Sequence, residues 1–391
     1  VYGSVYTVAA DRKKGNGMKR ILTVFLGLVM ILGSLTGCSG STPVDVVKAS
    51  SAQMELNQTQ ETVSQSNGTV ISEDENGKTK LPLSFEAGVD IEKGIRIAVV
   101  ARSTEGNYWK QMKKYMKEAV NYINSFYGLE GEDAVQMTFE GPDSDTKIDD
   151  QINTIDAVLA ENPSVLCLAA IDMNSCQAQM ETAQDNGIPV VLFHSKVKHD
   201  MSTVLCATNN CLAGAEAARQ LSWAIGEKGK TVIFHHGDYD QAGRSRVKGF
   251  KEEISRNHKN VKVAEYAQDQ EENIEDTIRS VLEKKRTKGI FCTSQALAEK
   301  VLTVMKDYPD KEIAFVGFDA GKMQIDAVRE GKELGTVVQN IPLMACQTIQ
   351  SAVIAASPDY TGQLKKDIKV EYTWVDSENL DKAKQEGLLY E

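Results

Sequence analysis

This chain is short of positive charge relative to negative. Its 44 Lys and Arg face 55 Asp and Glu, a formal net of −11. Five basic residues (Arg12, Lys13, Lys14, Lys19, Arg20) precede position 38 against the single acid Asp11, so residues 38–391 carry −15. A surface of that sign repels phosphate backbones and excludes nucleic acid as a partner. Catalytic and metal motifs are also missing. The chain has no Cys-x-x-Cys pair or Cys/His ladder with zinc spacing, no HExxH and no GxSxG elbow. GEKGKT at 226–231 lacks the first glycine of a phosphate loop and precedes a strand-like run instead of following one. His235, His236, Asp238 and Asp240 cluster in sequence, but adjacent histidines at a strand end point to opposite faces. An enzyme is not expected, nor any cofactor. The apolar run at 21–35 is shorter than the ~20 residues of a membrane span and is broken at Gly33.

That run has a different meaning. Lys19 and Arg20 precede it, and it closes on Leu35-Thr36-Gly37-Cys38. A charged start, an apolar stretch and small residues before a cysteine resemble a bacterial lipoprotein signal. The resemblance implies that residues 1–37 are an upstream extension plus signal peptide, and that Cys38 is lipidated. The working protein would then sit outside the cell membrane, anchored to its outer face through the lipid bilayer. The next stretch, 38–94, is rich in Ser, Thr, Gln, Asn and Glu with little to bury, and reads as a disordered tether. Among the other cysteines, Cys167, Cys206 and Cys292 sit inside apolar runs and read as buried free thiols. Cys176, Cys211 and Cys346 fall in helical patterns.

From Ile95 the pattern turns regular. Short β-branched runs (IRIAVVA, VQMTF, SVLCLAA, PVVLF, STVLCA) alternate with amphipathic stretches at 109–126, 148–160 and 175–186. A second series follows, with TVIFH, VKVAEY, GIFC, EIAFVGF and LGTVVQ between helical patterns at 212–225, 244–256, 274–284, 296–305, 325–329 and 346–356. Strands alternating with helices imply parallel sheets with right-handed crossovers, and two such series imply two lobes. Ligands of open α/β sheets meet the loops at the carboxyl ends of strands.

Those loops carry the candidate site. After IAVVA come Arg102, Glu105 and the adjacent aromatics Tyr108 and Trp109. Aromatic faces stack on the C–H faces of a sugar ring, while the alternative role for Trp109 is to cap the core. Arg244 stands in the first turn of a helix, where a cation opposes the dipole and calls for an anionic or hydroxyl-bearing partner, or an ordinary salt bridge. Asp319 follows EIAFVGF; its carboxylate could hold a vicinal diol or cap the next helix. Gln339 ends LGTVVQ and can both donate and accept.

These segments resemble the type I periplasmic binding proteins of the ribose- and galactose-binding branch. The likeness runs from about Ile95 to Val375 and is carried by NGIPVVLF at 186–193, AGRSRVKGF at 242–250, VGFDAG at 316–321 and GTVVQNIP at 335–342. It implies two Rossmann-like lobes joined by a three-strand hinge that close around a sugar. The expected boundaries are 95–207 with 340–374 for the N-terminal lobe and 208–339 with 375–391 for the C-terminal lobe. The resemblance puts Arg244, Asp319 and Gln339 on ligand-binding positions and Tyr108–Trp109 on the stacking pair. The chain departs where the family usually has Asp-Arg after the fourth strand, here His194-Ser195, and Asn-Asp after the eighth, here Ser294-Gln295. Arg102, His194 and Ser294 are therefore expected to decide which small hydroxylated molecule, a sugar, a polyol or similar, is bound. The implied partner is the permease of an ABC transporter; the alternative is a membrane sensor kinase or chemoreceptor. A LacI-type repressor shares the two-lobe body, but a lipobox and polar tether occupy the place of its DNA-binding headpiece.

Overall fold

Strands and helices alternate as the sequence pattern requires. The computed structural model describes residues 90–199, 201–357 and 364–390, together with Leu83 and the short strands β1 (Ser72–Glu73) and β2 (Thr79–Lys80). All fall within one unit, Gln65–Glu391. Cys38 and residues 1–37, where a signal peptide is expected, lie outside the described residues. The tether expected over 38–94 is not wholly irregular, because β1 and β2 pair antiparallel, and Leu83 and Ile91 pack against the first lobe.

The first lobe begins with β3 (Arg96–Val100), α1 (Gly106–Tyr127), β4 (Gln136–Glu140), α2 (Ile148–Ala160) and β5 (Val165–Leu168). It continues with α3 (Gln177–Asp185), β6 (Val190–Phe193) and β7 (Val204–Thr208). The buried face of α1, including Met112, Tyr115, Met116, Ala119, Val120 and Ile123, repeats at three- and four-residue spacing. The helix stops at Gly128, whose φ of +63° glycine adopts without a Cβ penalty.

The chain then crosses to the second lobe. There lie α4 (Asn210–Ala224), β8 (Gly229–His235), α5 (Gln241–Asn257), β9 (Val261–Ala267), α6 (Ile274–Glu283) and β10 (Thr287–Cys292). They are followed by α7 (Gln295–Met305), β11 (Ala314–Phe318), α8 (Lys322–Arg329) and β12 (Gly335–Gln339). A second crossover brings α9 (Ile341–Ala355) back against α1, β5, β6 and β7. Asn340 caps α9 by accepting the Leu343 N–H at 3.0 Å, and Pro342 occupies the first turn, where no N–H is needed. The chain ends with β13 (Asp367–Val370), β14 (Tyr372–Val375) and α10 (Leu380–Gln385).

Each lobe holds a six-stranded sheet, ordered β4-β3-β5-β6-β7-β13 and β9-β8-β10-β11-β12-β14. All pairings are parallel except that of β14, which runs antiparallel to β12. The third crossover therefore falls at Glu371, between β13 and β14, and corrects the boundary expected at 374/375. Residues 372–375 bury Val375 and pair with β12 because the chain runs on through Glu371 out of the first sheet and into the second.

One contact fixes the second lobe's geometry. Helices α4 and α5 meet backbone to backbone through two glycines. A Cβ on Gly214 would stand 2.0 Å from the Arg246 carbonyl oxygen, and one on Gly249 would stand 1.8 Å from that of Cys211. Phe250, on the same face of α5, stacks on Phe291 of β10 at 5.2 Å between ring centroids. Because both obstructing atoms are backbone, no rotamer change relieves the clash. Gly249→Ala is expected to destabilise the protein by about 1–3 kcal/mol, the usual cost of overpacking, while Lys248→Ala on the exposed face stays within about 0.5 kcal/mol. Urea denaturation of the two variants checks this.

Candidate functional site

The carboxyl ends of both sheets face one cleft of about 310 Å³, at the lower end of the ~300–1,000 Å³ range of small-molecule sites. From the first lobe it is lined by Arg102, Glu105, Tyr108, Trp109, Asp143, Asp145 and His194. From the second come His236, Asp240, Arg246, Ser294, Gln295, Glu299 and Asp319.

Arg102 stands just beyond β3. The loop behind it is tied down by buried Gln151 of α2, whose Nε2 donates to the Ala101 and Ala169 carbonyls at 2.9 Å each, while its Oε1 accepts from Ile171 N–H. Arg102 Nη1 then crosses the cleft to Asp240 Oδ1 at 2.8 Å, both side chains being 4% exposed. Asp240 also caps α5, taking the Gly243 N–H on Oδ2 at 3.2 Å. Burial alone would raise the Asp240 pKa, but Arg102, His236 and Arg246 overcome it and hold the carboxyl well below the usual range. Burial likewise works against the Arg102 charge, and Asp240 more than restores it. Two further contacts cross the same edge: Met173 N–H to the Tyr239 carbonyl at 3.2 Å, and Lys196 N–H to Gln241 Oε1 at 3.1 Å. The lobes are therefore in contact across the mouth of the cleft.

The aromatic wall comes from α1 and the end of β6. Tyr108 and Trp109, each 8% exposed, meet edge to face at 5.0 Å. His194 lies 5.6 Å from the Tyr108 ring and 5.4 Å from that of Trp109. Burial first, then Arg102 and Arg246, pushes the His194 pKa well down, so its imidazole is neutral at physiological pH. His194 and Asp319 are both non-glycine residues with positive φ, +65° and +75°. Such backbone costs about 1–3 kcal/mol each and persists where the surroundings over-determine it. Around Asp319 they do: Gln339 Nε2 donates to its Oδ1 at 2.8 Å, and Gln339 Oε1 in turn accepts from Thr208 Oγ1 at 2.8 Å.

Arg246, not Arg244, is the arginine of α5 that faces the cleft. It is 3% exposed, donates from Nε to Asn210 Oδ1 at 2.8 Å and from Nη1 to the Thr293 carbonyl at 2.6 Å, and lies over the Phe318 ring at 3.6 Å. Arg244 is exposed and pairs with Asp238 at 3.3 Å, which corrects its expected place in the site. The helical register decides this. Arg246 shares a face with Ala242, Gly243, Val247 and Phe250, all buried, and Arg244 does not. Gln339 is also repositioned relative to expectation: it is fully buried and reaches the cleft through Asp319. Tyr108, Trp109, Arg102, His194, Ser294 and Asp319 all line the cleft. Ser294 caps α7 and bonds His236 Nε2 at 2.8 Å, and His236 Nδ1 meets Gln268 Oε1 at 3.2 Å. Sequence reasoning had set His236 and Asp240 aside when no metal spacing supported them. Among the described residues no three His, Cys, Asp or Glu form a group that could hold a metal.

Buried nitrogens remain open. The donors Arg102 Nε and Arg246 Nη2, and His194 Nδ1, which donates or accepts according to its tautomer, have no hydrogen-bond partner among the described residues. With Asp319 as acceptor and two aromatic rings alongside, the cleft can bind a small molecule that both gives and takes hydrogen bonds.

The interlobe pair has a pH signature. A carboxylate whose pKa is lowered on folding adds stability above its unfolded pKa of ~3.9 and loses it as pH falls toward the folded value. Asp240→Asn is therefore expected to lower the melting temperature at pH 7 and at pH 4.5 alike, with the difference from the parent chain shrinking below about pH 3. The cost stays below the ~3–5 kcal/mol of a broken buried pair, because parting of the lobes lets water reach Arg102. Calorimetric melts across this pH range measure it.

The fold has well-populated company. A family model described as periplasmic binding protein domain matches residues 97–357. An ABC transporter solute-binding protein from Agrobacterium vitis, solved with alpha-D-tagatopyranose, is 22% identical with a TM-score of 0.66, over 76% of this chain and 99% of that one. A second from the same organism, with bound D-fucose, is 23% identical with a TM-score of 0.67, over 75% and 100%. A carbohydrate transporter solute-binding protein from Agrobacterium radiobacter, in complex with D-arabinose, is 17% identical with a TM-score of 0.66, over 75% and 98%. No curated protein matches the sequence. Paired parallel sheets, three crossovers and a cleft at their carboxyl ends agree with that company, and the chain belongs to the type I periplasmic binding protein family.

Proposed function

We propose that this protein is an extracytoplasmic solute-binding protein, anchored through Cys38, that captures a sugar or a similarly hydroxylated small molecule between its lobes and delivers it to an ABC transporter permease. The observation that carries the reading is the cleft chemistry: Arg102, Arg246 and His194, each with a buried nitrogen that has no partner among the described residues, line the same cleft as the Asp319 carboxylate, Tyr108 and Trp109. A hydroxyl both donates and accepts, so a polyhydroxylated ring satisfies guanidinium, imidazole and carboxylate together while its C–H face rests on the aromatic rings. Binding would add contacts to both lobes and so favour the closed arrangement that a membrane partner reads. Sugar-bound relatives of the same fold support this ligand class. His194-Ser195 and Ser294-Gln295, in place of the family's usual pairs, would set which sugar fits.

The test is a thermal-shift panel of D-tagatose, D-fucose, D-arabinose, D-ribose, D-galactose and myo-inositol. A true ligand near 100 times its Kd adds about 2.7 kcal/mol of stability, and a rise of several degrees is expected with at least one of these. Asp319→Ala and Arg246→Ala should abolish that shift, whereas Arg244→Ala should retain it. A panel without any shift would overturn the reading of the cleft. The anchor has its own test: incorporation of labelled palmitate in a bacterial host, expected for the full chain and lost in Cys38→Ala.

A further inference from the structure

No sequence motif marks Tyr390, yet it is 1% exposed and among the largest fully buried side chains of the described residues. Helix α10 delivers it. Leu380, Ala383 and Leu388 insert into the same apolar cluster that holds α1 and α9 of the first lobe with Ala320, Ile325 and Val328 of the second. Leu388 N–H closes on the Ala383 carbonyl at 3.0 Å, which turns the chain toward the cleft.

Tyr390 then touches both lobes. Toward the first, its carbonyl accepts from Asn107 Nδ2 at 3.4 Å, and its ring meets Tyr108 edge to face at 5.9 Å. Toward the second, its N–H donates to the Ala320 carbonyl at 3.4 Å, and a parallel bridge joins it to Gly321. Its hydroxyl accepts the Ala320 N–H at 2.9 Å and, beside Asp319, helps to hold that carboxyl's pKa down. One hydroxyl thus holds the backbone just after Asp319, a residue itself at a φ of +75°, and stands by the Asp319 side chain. Tyr108 and Asp319 line the cleft, and Tyr390 stands behind them.

We infer that Tyr390 is a positioning residue of the ligand cleft, fixing Asp319 of the second lobe and Tyr108 of the first in the arrangement that receives a hydroxylated ligand. The inference rests on the reading of the cleft given under Proposed function, and it deepens that reading by assigning a role to the C-terminal segment.

The role has a measurable electrostatic trace. Asp319 is faced by Arg246 from α5, Tyr108 from α1, Gln339 from β12, the Gln295 N–H from α7, and Tyr390. Burial pushes its pKa up, and Arg246, Gln339, Tyr390 and the Gln295 N–H oppose the rise. Removing the hydroxyl takes away one group that favours the charged form, so the carboxyl should protonate at a higher pH.

Two measurements on Tyr390→Phe test this. In the ligand-free protein, the 13C carboxyl resonance of Asp319, assigned by its disappearance in Asp319→Asn, is followed through a pH titration. Its midpoint is expected to move up in Tyr390→Phe; an unmoved midpoint overturns the inference. Calorimetric titration with D-fucose, D-tagatose and D-arabinose should then give affinities about 10–100-fold weaker in Tyr390→Phe for any of these that binds the parent chain, as the loss of a hydrogen bond to a charged group implies. Tyr390→Ala, which also removes the ring from Tyr108, should weaken binding further. Parent-like affinity in Tyr390→Phe with a moved midpoint also overturns the inference, since positioning would then not matter to the ligand. If no member of the six-compound thermal-shift panel binds the parent chain while the midpoint moves, the sugar reading is at fault and the hold of Tyr390 on Asp319 stands.

Discussion

The Arg102–Asp240 pair is the constraint on which the cleft's geometry turns. It is the buried charge pair that links the two lobes, and the same Asp240 caps α5. The start of α5, and with it the direction in which Arg246 projects, is thereby referenced to the first lobe. Taking two charges out of water costs several kcal/mol per ion, and their attraction offsets roughly that cost. A pair of this kind specifies how the lobes meet without holding them shut strongly. Closed and open arrangements can then lie close enough in energy for a small ligand to tip the balance.

The remaining polar groups form two layers. Arg246, His194 and Asp319 face the cleft, while Gln339, Thr208, Asn210 and Gln151 stand behind them and satisfy their neighbours' hydrogen bonds. Ser294, His236 and Gln268 form a chain in which each partner is already engaged. In the cleft the atoms left open include two guanidinium donors, Arg102 Nε and Arg246 Nη2. Around the mouth, Glu105, Asp143, Asp145 and Glu299 surround this donor-rich floor with negative charge, which favours a neutral hydroxylated guest over an anionic one.

Much of this was legible in the sequence. Alternating β-branched and amphipathic runs specified two α/β series because burial on both faces of a parallel sheet leaves a period that local reading detects. Arg102, His194, Ser294 and Asp319, read as standing just after strands, do line the cleft, since strand ends tolerate little ambiguity. Helical positions were harder. Within AGRSRVKGF, Arg244 and Arg246 differ only in which face of α5 they occupy. That face is set by contact with Gly214, which lies on another helix, although the buried spacing of Gly243, Arg246, Val247 and Phe250 carried the signal. The strands β13 and β14 were not read at all. They are four residues each, separated only by Glu371, and belong to different sheets, so no local pattern announces the crossover. Tyr390 was invisible for the same reason, because its contacts lie 70 and 283 positions away in the chain.

The two sheets are built alike. β6 and β11 occupy matching places, fourth from the β4 and β9 edges, and each is followed by a residue in the left-handed region, His194 and Asp319. Among non-glycine side chains that region welcomes asparagine, aspartate and histidine and resists branched ones. The backbone therefore acts as a filter on heredity: substitutions that survive at these two strand ends tend to be amide, carboxylate or imidazole. Whatever guest a descendant of this chain comes to prefer, the two opposed corners that greet it are biased by torsion angles alone to remain wettable.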